Sequence, residues 1–299
     1  MAYEFVVDST CDLRPEFLAQ NNVTRIPLEF VIDNKTYVDD RKTITPARFF
    51  EMVRGGLSAT TCQINIDRFE KEFSVILDQG KDLLYLAFSS ALSGTCNNAF
   101  NAAESLKSRY PDRKIIVIDS VAASGGEGLI IHLALKKRDA GATIDELADY
   151  IKYLIPKTCH WVLLDDLNHL YRGGRITRSS ALLGGLVGIK PIVFVDHAGR
   201  LISRDKVRGR KKGLATLVDY MKKIYDYNAP ENDTVLIIHA DALGDAEELA
   251  RMVRAEFKIN TLVTEYMGSI IGSHTGSGTL ALFFIGTDRE VGYVPESAH

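Results

Sequence analysis

Residues 83–100 read LLYLAFSSALSGTCNNAF. The stretch opens as an apolar run that suits a buried strand and closes with the composition of a helix. Between them stand the small hydroxyls of Ser89, Ser90, Ser93 and Thr95. A strand that gives way to a helix through a short polar loop is the repeating unit of an α/β sheet. The pattern recurs in EFVVDST (4–10), KIIVIDS (114–120) and TVLIIHA (234–240), which are β-branched apolar runs ending in small or polar residues. These read as buried parallel strands. Segments 12–21, 96–110, 127–141 and 244–257 carry apolar residues at spacings of three and four and read as crossover helices. In such a sheet the ligand site lies beyond the carboxyl ends of the strands, which gathers Asp8-Ser9-Thr10, Ser89 to Thr95 and Asp119-Ser120 on one edge.

The first half closes with a helix, IDELADYIKYLI (144–155), capped by Thr143 after the Gly141-Ala142 turn. A boundary follows near Pro156 to Thr158, which divides the chain into domains 1–157 and 158–299. In the second half, WVLLDDLNHL (161–170), GIKPIVFVD (188–196) and GRLISRDKVR (199–208) read as strands, with a tight turn at His197 to Arg200. The expected architecture is therefore a two-domain α/β fold, with an N-terminal α/β/α domain on a parallel sheet and a C-terminal α/β domain on a mixed sheet. No linker rich in Pro or Ser separates them, so the domains should be in firm contact.

Composition narrows the function classes. The 299 residues are 46% hydrophobic and 25% charged, with a formal net charge of −3, so no general electrostatic attraction to nucleic acid or an anionic membrane is expected. No apolar run reaches the length of a membrane span, and the opening MAYEFVVDST lacks the pattern of a signal peptide; a cytoplasmic location is expected. Cys11, Cys62, Cys96 and Cys159 are widely spaced, which suggests reduced thiols and no metal cluster.

The Ser93-Gly94-Thr95 turn places hydroxyls where free backbone N–H groups open a helix, an arrangement that suits an anion as well as a simple cap. Gly-x-x-x-x-Gly-Lys-Ser/Thr is absent, SGGEG (124–128) is only a Gly-rich helix start, and SALSGT is not the elbow of a Ser nucleophile. His274, within GSIIGSHTGSG (268–278), is flanked by glycines that permit close backbone approach to a ligand. Arg172 and Arg175 in YRGGRI, with Arg208 and Arg210 in KVRGRK, read as solvated charges, the usual fate of such residues, and position alone does not mark them as functional.

Nine segments in order, FVVDSTCDL, IPLEFVID, TTCQIN, SSALSGT, VIDS, LNHLYRGGRI, GIKPI, KVRGRKK and GSHTGSG, span nearly the whole chain. Together they resemble the DegV family of bacterial fatty acid-binding proteins. The resemblance implies a long-chain fatty acid such as palmitate held between the two domains. Its carboxylate would meet Thr61 and Ser93 in the turn with Gly94 and Thr95, with His274 beside them. Thr60 is the alternative to Thr61, because the loop departs from the family pattern at Ala59, Cys62 and Ile64. The resemblance further implies a separate fatty acid kinase subunit that phosphorylates the bound acid, with Arg175 and Arg208 as partner contacts, and a transient meeting with a membrane surface. On this reading the chain is a carrier with no catalytic residue and no cofactor other than the bound acid. The competing reading is a small-molecule enzyme similar to the substrate domains of dihydroxyacetone kinases, with His274 at the chemistry.

Overall fold

A computed structural model describes residues 3–176 and 188–290. Ten α-helices among them are α1 (Pro15–Gln20), α2 (Pro46–Arg54), α3 (Ile66–Leu77), α4 (Thr95–Leu106), α5 (Gly125–Asp139), α6 (Ile144–Leu154), α7 (Asn168–Arg172), α8 (Arg210–Ile224), α9 (Leu243–Glu256) and α10 (Ser269–Thr275). The first sheet is parallel throughout. It contains β1 (Tyr3–Asp8), β2 (Val23–Ile26), β6 (Asp82–Ala87) and β7 (Ile115–Asp119) in the order β2-β1-β6-β7. Because the strands run the same way, the loops after β1, β6 and β7 share one edge, as the sequence predicts.

That edge is organised by a buried acid. The Asp8 carboxylate accepts from the Tyr85 hydroxyl at 2.8 Å, from the backbone N–H of Thr10 at 2.9 Å and from that of Phe88 at 3.1 Å. Thr10 Oγ1 lies 2.5 Å from Asp8 and 2.9 Å from Glu127, and it has one proton to give. Burial and the neighbouring Asp8 charge push the Glu127 carboxyl well above its ordinary range.

The second sheet is mixed, in the order β10-β9-β8-β13-β11-β12. Its members are β8 (Thr158–Leu163), β9 (Ile189–Val195), β10 (Leu201–Arg208), β11 (Thr234–His239), β12 (Thr261–Tyr266) and β13 (Leu280–Ile285). TVLIIHA forms β11, which is parallel to β12 but antiparallel to β13, so it belongs here and not with the all-parallel strands. Its unbroken apolar run has a physical cause: both faces of this sheet are buried. Val162, Val193, Ala281 and Phe283 face the core shared with the first sheet, while Trp161, Phe194, Leu282 and Phe284 face a second core under α8 and α9. Trp161 stacks on Tyr220 there, with ring centroids 3.8 Å apart.

Two local readings change. The run WVLLDDLNHL leaves the sheet at Leu163, because the Asp166 carboxylate accepts the Asn168 N–H at 2.7 Å and starts α7. IPLEFVID and TTCQIN supply two strands of a third sheet, antiparallel, made of β3 (Glu29–Ile32), β4 (Lys35–Val38) and β5 (Ala59–Cys62) in the order β4-β3-β5. The threonines thus sit on a strand and not in a loop. Helix α6 begins with Thr143 and Glu146 capping one another, and β8 starts soon after it.

Candidate functional site

A cavity with an empty volume of about 1050 Å³, its mouth included, lies between the three sheets. Its apolar wall is the inner face of the mixed sheet. His160, Val162 and Leu164 alternate inward along β8 and its extension, with Val193 and Val195 on one neighbour and Ala281 and Phe283 on the other. From Leu164 to His160 this wall runs about 13 Å at the usual rise per residue. Helix α10 forms the facing side through Ile270 and Ile271, joined by Met267 just ahead of the helix.

The far end is closed by the first turn of α5. A Cβ on Gly126 would stand 1.9 Å from His160 Nε2, and one on Gly125 would stand 2.6 Å from the Phe283 ring. The glycines of SGGEG therefore serve close packing. His160 Nδ1 lies 3.0 Å from the Thr158 carbonyl, and Nε2 accepts the Ala123 N–H at 3.4 Å. Burial, aided by the Arg289 charge, holds its pKa well below the ordinary value, so the ring is neutral and belongs to the wall.

The opposite end is polar. Thr61 points inward from β5 and its Oγ1 meets His274 Nε2 at 2.9 Å. Thr60, one residue earlier, pairs with Val31 on the other face of the strand and is exposed. Ser93 lines the cavity at the start of α4; its Oγ is 3.0 Å from Thr95 Oγ1 and accepts the Thr95 N–H at 3.3 Å. Thr95 itself is fully buried, and its Oγ1 accepts the Ile64 N–H at 3.4 Å, so it orients Ser93 from behind. Gly94 is covered by Gln63: a Cβ there would lie 2.2 Å from Gln63 Oε1.

His274 carries the electrostatics of this end. Burial, reinforced by the Arg175 and His169 charges, lowers its pKa to about 4, so the ring is neutral near pH 7. It can then donate from one nitrogen and accept at the other. Nδ1 has no partner and abuts Gly173, where a Cβ would come within 2.4 Å. Arg175 donates from Nε to the Leu92 carbonyl at 3.0 Å and also to the Gly173 carbonyl, which fixes its guanidinium beside His274.

The structure thus brings Thr61, Ser93 and His274 to one end of the cavity, with Gly94 and Thr95 behind Ser93. It separates the two arginines: Arg175 lines the cavity mouth, whereas Arg208, on β10, is exposed. Sequence reasoning missed Gln63 and Met267 as lining residues. It also missed Asp12, whose carboxylate accepts from Ser124 Oγ at 2.6 Å, from the Gly268 N–H at 2.7 Å and from Arg41 at 3.1 Å. Asp12 thereby ties the starts of α5 and α10 together. Burial outweighs Arg41 and raises its pKa to about 6. The inward alternation of β8 could have flagged the wall; nothing in the local sequence marks a contact between residues 12 and 268. Among the described residues, no group of His, Cys, Asp and Glu is placed to hold a metal ion, and no helix is long and apolar enough to cross a membrane.

This chain is 40% identical over 291 residues to a DegV domain-containing protein of Clostridium perfringens, covering 96% of this chain and 99% of that protein. A DegV lipid-binding protein from Thermotoga maritima has the same fold at 26% identity and a TM-score of 0.83, covering 97% of this chain and all of that one. A DegV family protein from Thermus thermophilus, described by its fatty acid binding, matches at 26% identity and a TM-score of 0.84, over 96% of this chain and all of that one. A Streptococcus pneumoniae Fatty Acid Kinase (Fak) B3 protein loaded with linoleic acid shares the fold at 21% identity, covering 95% and 99% of the two chains, with a TM-score of 0.84. With the model for the DegV family, described as uncharacterised protein, matching residues 3–287, the chain belongs to the DegV family.

Proposed function

We propose that this protein binds one long-chain fatty acid in the cavity and presents its carboxylate to a partner acyl kinase, as a cytoplasmic carrier without catalytic machinery of its own. The observation that carries this reading is the asymmetry of the cavity: an apolar sheet face about 13 Å deep leads to one polar end holding Thr61, Ser93, His274 and Arg175. An acyl chain with about fourteen methylenes, at roughly 0.8 kcal/mol each, offers more than about 10 kcal/mol before ordering costs. Each head-group hydrogen bond adds about 1.5 to 3 kcal/mol at most. The tail supplies affinity and the polar end supplies orientation.

At that end, the Thr61 and Ser93 hydroxyls would donate to the carboxylate, with Nε2–H of the neutral His274 ring donating to Thr61 Oγ1 and orienting it, while the fixed guanidinium of Arg175 balances the charge. Gly94 and Thr95 shape the turn. Arg208, exposed on β10, suits contact with the kinase, and the acid would be collected during transient contact with a membrane surface. The reading is supported by solved relatives described as lipid-binding and fatty acid-binding. A small carbonyl substrate, as in the dihydroxyacetone kinase comparison, would leave the apolar wall unfilled.

Denaturing the purified protein and analysing the extract by mass spectrometry tests the proposal. A long-chain acid in near-stoichiometric amount is expected, and an empty or small-molecule extract overturns it. The handover is tested separately with a cognate kinase. Arg208→Glu should stay loaded yet lose phosphorylation, whereas Arg175→Glu should empty the cavity by placing a like charge beside the carboxylate.

A further inference from the structure

We infer that Met267 sets the range of acyl shapes the cavity accepts, acting as an adjustable section of its wall; this rests on the fatty acid reading above. Met267 is 1% exposed and stands two residues before α10, at the opposite end of that helix from His274. Its sulfur reaches forward along the helix, to 3.1 Å from Thr275 Oγ1, the lining residue next to His274, so the side chain lies lengthwise on the cavity wall.

What holds it there is weak. Thr275 has one hydroxyl proton, and the Ile271 carbonyl stands at the same 3.1 Å distance. A carbonyl is the stronger acceptor, so the sulfur contact is dispensable. The neighbours of Met267 on the sheet face are stiff: Val162, Val193 and Val195 are β-branched, and Ala281 has no side-chain rotamers. Met267 alone on the cavity wall combines an unbranched chain, three rotatable bonds and a polarisable sulfur. Its backbone is fixed meanwhile, because its N–H donates to the His239 carbonyl at 2.9 Å and the next residue, Gly268, donates to Asp12 at 2.7 Å. A fixed anchor with a movable arm lets the cavity fit straight or bent, shorter or longer chains without moving the helix that carries His274.

The test offers wild type, Met267→Ala, Met267→Leu and Met267→Ile an equimolar mixture of myristic, palmitic, stearic and oleic acids, and quantifies the bound acids after extraction. Wild type is expected to retain all four. Met267→Ala opens space and should shift the oleic to myristic ratio by about 10-fold toward oleic, since a small change in an apolar pocket discriminates on that scale. Met267→Leu and Met267→Ile nearly conserve volume, so they stay folded if the alanine variant does not. Each should narrow the retained set to one or two acids. Profiles identical to wild type in every folded variant overturn the inference, because a purely structural methionine would change melting temperature and leave the profile alone. A wild-type protein that retains none of the acids overturns the fatty acid reading instead.

Discussion

The two ends of the cavity are made from different materials. The tail end is a strand face: β8, β9 and β13 set side chains at fixed intervals, and the first turn of α5 presses on it closely enough that only glycine fits at position 126. The head end is assembled from pieces far apart in sequence, with Thr61 on β5, Ser93 ahead of α4, Arg175 after α7 and His274 on α10. A continuous surface can pay for affinity through area, while a composite of single atoms can only orient. Disturbing the wall should therefore cost more than deleting any one atom of the clamp.

The largest effect is expected from Val162→Asp, which sets a carboxylate in the middle of the apolar wall. An unpaired charge there is costly to the protein and costlier to an acyl chain that must lie against it. Fatty acid affinity should fall by on the order of 3 kcal/mol or more, read by titration calorimetry. Val162→Thr, which keeps the shape, should fall between it and wild type. If Val162→Asp binds as wild type does, the acid does not use this wall.

The next effect is on stability and comes from the head end. The His274 ring has a folded pKa of about 4 against an ordinary value near 6.5. Above pH 6.5 it is neutral in both states and its contribution is constant. As pH falls from about 6.5 to about 4, the unfolded chain takes up a proton that the folded protein refuses, so stability is lost by roughly 3 kcal/mol across that window. His160 and His132, also held low, add slopes of the same sign. His274→Gln should remove its own share, seen as a shallower fall in urea midpoint between pH 6.5 and 4. An unchanged slope means the ring is solvated and titrates normally. Asp12 opposes this trend: its pKa is raised to about 6, so its share of stability is greatest below about pH 4 and declines as pH rises through 6.

Ser93→Ala should be milder, weakening acid binding by about 1 to 3 kcal/mol while leaving the tail contacts intact. The Ser93 oxygen also accepts the Thr95 N–H, so the variant disturbs the start of α4 as well. Unfolding without ligand separates the two roles. A loss of stability with unchanged affinity would reduce Ser93 to a helix-start contact.

How much of this was legible depends on whether a signal is local. Strand β6, the turn after it and α4 are contiguous in LLYLAFSSALSGTCNNAF, and each is marked by its own residues, so the Ser93 turn could be placed from sequence. Thr143 as a cap was equally readable, since a cap is a relation over three residues. Strand β5 was not, because ATTC lacks the length and apolar alternation of a strand and gains its state only by pairing with β3. The clamp of Asp12 on Gly268 and Ser124, and the cavity position of Arg175, depend on contacts across more than 80 residues, for which a single chain has no local mark. The mixed sheet shows the converse: β11 was recognised as a strand, but burial on both faces hid which way its neighbours run.

The smallest effect sharpens the comparison most, because it turns on one residue of register. Thr60 and Thr61 are adjacent and chemically identical, and only the strand tells them apart. In β5, Thr61 lies opposite Phe30 and faces the cavity, while Thr60 lies opposite Val31 and faces outward. Replacing Thr61 with Val keeps the branched shape and removes the donor 2.9 Å from His274, so acid affinity should drop by about 1 kcal/mol. The ring nitrogen then loses its protein partner even without ligand. Thr60→Val should leave affinity unchanged and, at an outward strand position, shift stability by no more than about 0.5 kcal/mol. Calorimetric titration of both variants with the same acid decides the matter. If Thr60→Val weakens binding and Thr61→Val does not, the strand is offset by one residue, and with a period of two that offset would turn every side chain of β5 to the other face.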